Sequence, residues 1–170
     1  SAGISIFSAS EKSAEYILQK ATTHFGGRDW VAWFNKDIET QEGPYKFRGL
    51  PGLIFEIYDT KNNFSFTLLK SYNLQKTYDT TDFLESFSGM KPIAISEKIL
   101  RKKQIEMFNN PLRDFIENYK NSNGGGRFSV MGIEVKSIDQ FKKLTLISQE
   151  RLRKTNNPIE LDKAPVYPKK

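Results

Sequence analysis

The chain has 170 residues and carries 26 Lys and Arg against 20 Asp and Glu, a net charge of +6 at neutral pH; this length reads as a single domain over 1–170 with room for a real core. It has no cysteine and one histidine, His24, which excludes a disulfide scaffold, a thiolate metal site, a cysteine nucleophile and a multi-histidine metal centre. No apolar run is long enough to cross a membrane as a helix, and the basic residues are scattered in short clusters (Arg101 to Lys103, Lys142-Lys143, Arg151 to Lys154, Lys169-Lys170) that read as solvated faces and not as a nucleic-acid surface.

In chain order, the start Ser1 to Ser5 has neither a basic segment nor an apolar core and reads as lacking a signal peptide. Ile4-Ser5-Ile6-Phe7 alternates like an edge strand. Residues 14 to 35 form a predicted hairpin, with strands up to His24 and from Trp30 to Phe34 around the Gly26-Gly27-Arg28-Asp29 turn. The stretch Tyr45-Lys46-Phe47-Arg48 alternates aromatic and basic side chains between Gly43-Pro44 and Gly49-Leu50-Pro51-Gly52. That framing predicts a surface-exposed aromatic loop. Leu50-Pro51-Gly52-Leu53 reads as a type II turn, with proline fixing its second position and Gly52 free to take positive φ.

From Leu53 and Ile54 to Tyr58 the chain is dense in β-branched and aromatic residues, and Phe64 to Leu69 alternates, so a second hairpin is predicted over 53–74. Tyr72 to Ser88 mixes strand and helical signals. Ser96 is a predicted N-cap for a helix to Asn109, and Pro111 a first helical position for a second helix to about Lys120. Residues 121–126 read as a flexible Gly/Asn loop and not a phosphate cradle, since the Lys-Ser/Thr ending is missing. Arg127 to Val135 is a strand candidate. Ser137 with Gln140 makes a capping box for a helix to about Lys154. Ile159-Glu160-Leu161 is a possible last strand, and 163–170 a tail. The order of strands followed by helices gives an α+β fold, an antiparallel meander of six or seven strands with about three helices in the C-terminal half; a curved, half-open sheet like that of periplasmic lipoprotein carriers is suggested by analogy alone.

Candidate chemistry is sparse. His24 with Asp29 or Asp37 makes an imaginable acid–base pair, but no nucleophile accompanies it, and a turn-edge histidine is the simpler reading. The carboxylates Glu56, Asp59, Asp79, Asp82 and Glu85 are candidates for a hydrolytic pair. Glu56 interrupts an apolar strand, which one solvent-facing side of that strand explains. The best recognition surface is the aromatic loop Tyr45, Lys46, Phe47, Arg48 with Trp33 nearby, able to line a groove for peptide, glycan or acyl chain. Nothing calls for a cofactor or a metal.

Gly49-Leu50-Pro51-Gly52-Leu53-Ile54 spells the hexapeptide that names the GLPGLI family of the Bacteroidetes cell envelope. The resemblance extends to Gln19-Lys20-Ala21-Thr22, Gly27-Arg28 and Ala32-Trp33-Phe34 upstream, to Gly43 through Phe47, and to Asn157-Pro158-Ile159-Glu160-Leu161 near the end. It covers about residues 16 to 162, with Leu18 standing where relatives often have cysteine. It implies an exported protein of the periplasm or outer membrane, of which this chain is the C-terminal part. With no catalytic set in the sequence, the resemblance implies a non-enzymatic binding or accessory role toward an envelope protein, peptide or lipid, including outer-membrane transport machinery. A carboxylate-dependent hydrolase is the alternative. A basic nucleic-acid binder ranks last, because export argues against it.

Overall fold

The computed structural model describes residues 4–13 (backbone only), 16–72, 75–76, 79–80, 86, 90–122 and 127–169. The fold is α+β, as the order of elements implies. The chain divides into two compact units, the first made of residues 1–79 with 158–163, the second of 80–157 with 164–170.

The first unit is an open five-stranded antiparallel meander in sequence order: β1 (Ile4–Ser13), β2 (Tyr16–Phe25), β3 (Arg28–Asn35), β4 (Leu53–Asp59) and β5 (Ser65–Thr67). The predicted first hairpin is present as β2 and β3. Gly26 and Gly27 both take positive φ, at 64° and 72°, the two-residue turn whose twist matches its strands. That turn fixes the register, pairing Phe25 with Arg28, Thr23 with Trp30 and Ala21 with Ala32. β4 continues the rows, with Ile57 beside Ala32 and Asp59 beside Trp30. Because side chains alternate along each strand, one face carries the core of Ala21, Trp30, Ala32, Phe34, Ile54 and Ile57, which Phe47 and Leu50 complete from the loop. The other face carries the row Lys20, Trp33, Glu56, Thr67. Glu56 thus lies on the face away from the core, as its strand position implies.

Two local expectations fail in this unit. Leu50–Leu53 is not a type II turn: the Gly52 N–H donates to the Leu50 carbonyl at 2.8 Å, closing a tighter three-residue turn around Pro51. Gly52 has φ 147°, and a Cβ there would sit 1.9 Å from the Asn35 carbonyl oxygen, so close backbone approach is what requires glycine. Ile159 to Leu161 is not a strand. Ile159 packs against the core while Leu161–Lys163 forms a 3₁₀ turn with Leu161 exposed.

In the second unit, Ser96 caps α1 (Glu97–Asn109), its Oγ accepting from the Ile99 N–H. The next helix, α2, runs Arg113–Asn121, so Pro111 precedes it by two residues and does not open it. Residues 127–135 are a hairpin and not one strand: Met131 and Gly132 both have positive φ and turn β6 (Phe128–Val130) into β7 (Ile133–Val135). The Gln140 carboxamide accepts from the Ser137 N–H at 3.1 Å, the return half of the predicted capping box, and α3 spans Gln140–Lys154. Leu112, Val130, Val135, Phe141 and Leu144 form a second core. Beyond α3, Tyr167 stacks on Phe108 at 4.5 Å. The ambiguous stretch 72–88 and the glycines of 121–126 fall largely or wholly outside the described residues.

Candidate functional site

The site begins with two methyl groups. Ala21 and Ala32 face each other in the middle row of the core face, between the larger Trp30 and Phe34 positions of β3. Two small side chains in adjacent strands leave a depression between larger neighbours. The loop 43–52 arches over it, leaving a cleft of about 200 Å³. Ala21, Trp30, Ala32 and Ile57 line it from the sheet, and Lys46, Phe47, Arg48 and Leu50 from the loop.

Hydrogen bonds from the Phe47 N–H to the Pro44 carbonyl, from Gly49 to Gln41 and from Ile54 to Glu42 fix the loop. Phe47 is buried, its ring centroid 4.5 Å from Trp30 and 5.4 Å from Phe25. Phe47 alone departs from the exposed-loop expectation, since Tyr45, Lys46 and Arg48 are exposed; Tyr45 sits in the left-handed region at φ 57°, which breaks the alternation. Trp30 itself is anchored by its indole N–H, which donates to the Phe25 carbonyl at 3.0 Å.

The far end of the chain meets the loop and the β2–β3 turn without lining the cleft. The arm 158–163 lies on the β2–β3 turn, where the Leu161 N–H donates to the Gly26 carbonyl at 2.6 Å. Cβ atoms on Gly26 and Gly27 would approach the backbone of Glu160 and Asp162 to 3.0 and 2.9 Å. Arg28, buried, donates through Nε to the Ile159 carbonyl at 3.1 Å and through a terminal nitrogen to the Pro158 carbonyl at 2.7 Å. Its other face covers Phe64 at 4.9 Å, and it pairs with the buried Asp59 at 3.4 Å. Burial alone would raise the Asp59 carboxyl. Hydrogen bonds from Asn63 and the Phe64 N–H, with the Arg28 charge, outweigh it and hold the group below its ordinary range.

Glu160 closes the corner. Its carboxylate is nearly buried and accepts from Lys163, Lys46 and the Tyr45 hydroxyl. These three donors, Lys163 first, hold it at about 2 against an ordinary 4.5. The same bond raises Lys46. Tyr45 and Lys46 are thus tied to the arm, whereas Arg48 is exposed and, among the described residues, has no ion pair or hydrogen-bond partner.

Of the residues marked out by sequence, Lys46, Phe47 and Arg48 meet at the cleft, and Gly49 through Ile54 form its hinge and edge. Trp33 does not join them: it lies on the opposite sheet face, with Lys20 Nζ 5.8 Å from its ring. Glu56 and Asp59 occupy opposite faces and neither lines the cleft. His24 meets Asp29 at 2.8 Å, but both are exposed at the hairpin's end with no nucleophile between them. No group of three His, Asp or Glu among the described residues is placed to hold a metal, and no described helix is long and apolar enough to cross a membrane. Sequence reasoning did not single out Ala21 and Ala32 as the floor of the cleft, nor Arg28 and Glu160 as the anchors of the arm.

The match to known proteins is narrow. A family model described as a protein of unknown function (Porph_ging) matches residues 8–56, which take in the first hairpin, the loop and half of β4. No curated protein and no solved structure matches the chain.

Proposed function

We propose that the sheet unit is a non-enzymatic binding module of the bacterial cell envelope, engaging a partner protein, peptide or lipid through the cleft beneath loop 43–52. The observation that supports this is the cleft itself: a concave apolar surface on the core face, framed by a loop tied down at both ends. Pockets of this kind, apolar with a few convergent polar groups, are the usual form of a binding site. Of the candidate carboxylates, Asp59 is engaged by Arg28, Asn63 and the Phe64 N–H and Glu56 is turned to the other sheet face, while Asp82 and Glu85 lie outside the described residues. The resemblance of the GLPGLI hexapeptide and its flanking blocks supports the envelope assignment.

The test is crosslinking capture from native envelopes, run in parallel with the wild-type chain and with Ala32→Leu, which fills the cleft. Partners present with the wild type and missing with the filled variant support the reading. Identical captures from both would place recognition elsewhere and overturn it.

A further inference from the structure

Building on that reading, we propose that the cleft takes the C-terminal residue of a peptide, its apolar side chain over Ala21 and Ala32 and its carboxylate on Arg48. Size sets the first limit. About 200 Å³ exceeds the roughly 150 Å³ that admits a benzene ring and falls short of the roughly 300 Å³ at which sites for larger organic ligands begin. One aromatic or branched aliphatic side chain fits, whereas a long acyl chain would leave most of its length in water.

Charge sets the second limit. The residues lining the cleft include two cations and no carboxylate. Lys46 is taken by Glu160, so the unengaged positive group at the rim is Arg48. Its planar fork matches a carboxylate with two parallel hydrogen bonds. An apolar body of one side chain's size next to a single anion describes a polypeptide's last residue.

The test titrates the full chain with N-acetylphenylalanine, its neutral amide and octanoate, on wild type and Arg48→Ala. The exposed position of Arg48 makes this variant tolerable to the fold. N-acetylphenylalanine is expected to bind wild type about tenfold more tightly than the amide, the worth of one charge-assisted contact, and Arg48→Ala to lose that preference. Equal affinities for acid and amide would overturn the carboxylate assignment while leaving a working cleft. So would a preference that survives Arg48→Ala. Octanoate binding more tightly than N-acetylphenylalanine would point to an acyl ligand and overturn the peptide assignment. Absence of binding by all three probes would overturn this proposal and the cleft reading beneath it.

Discussion

Ala21 and Ala32 stand directly opposite each other across β2 and β3, and both line the cleft beneath loop 43–52. Filling this space is cheap. Ala32→Leu should change unfolding free energy by less than about 1 kcal/mol, against the roughly 1–3 kcal/mol lost when a filled core is overpacked. Urea denaturation decides between the two values. A loss at the upper end would mean that the neighbours already occupy the cleft.

Gly52→Ala should be among the most damaging single changes in the loop. The new Cβ would meet the Asn35 carbonyl oxygen at 1.9 Å on a backbone at φ 147°, and we expect a loss above about 2 kcal/mol. Gly49→Ala is the control: φ is 91° but nothing lies within 4 Å, so only the backbone cost of about 1–2 kcal/mol applies. Comparable melting temperatures for the two variants would contradict the close-approach argument.

Arg28→Lys keeps the charge and loses the fork that holds Pro158, Ile159 and Asp59 together. Removing one partner of a buried pair costs about 3–5 kcal/mol, and lysine should recover only part of that. Limited proteolysis should then cut near residues 155–163 faster than in the wild type. Unchanged cleavage there would show that the arm is held by other contacts.

The Glu160 carboxylate titrates near 2 when folded and near 4.5 when free. A lowered folded pKa gives stability that is complete above the free value and lost as pH falls through the folded one. Wild-type stability should therefore be flat in this contribution down to about pH 5 and decline between 4.5 and 2. Glu160→Gln should lose about 2 kcal/mol at pH 7 and flatten part of that acid slope. A variant whose acid limb overlays the wild type would remove Glu160 from the account.

Much of this was readable in advance. The hairpin was legible, but the sequence places its turn over Gly26 to Asp29; only the tighter Gly26-Gly27 turn, with Arg28 and Asp29 already in β3, sets the Ala21–Ala32 pairing. The Ser96 capping signal placed the start of α1, whereas α3 starts three residues after Ser137, with Asp139 at its N-cap and only the Gln140 half of the box formed. Phe47 was misread because alternation assumes an extended backbone, and Tyr45 at positive φ interrupts it. The arm was misread because its fate is decided 130 residues away: Arg28 takes the carbonyls of Pro158 and Ile159 that a strand would have offered to a neighbour. No local pattern encodes such a partner. The resemblance blocks did hold both halves, Gly27-Arg28 and Pro158 to Leu161, without indicating that they touch.

The most direct test of the cleft is a methyl NMR titration of the chain with indole, following the Ala21 and Ala32 methyl groups and the Trp30 side chain. The account predicts saturable shifts at all three, and none at Trp30 in Ala32→Leu. Methyl signals that stay still while indole is raised to its solubility limit would contradict it, and the core face would then be closed packing.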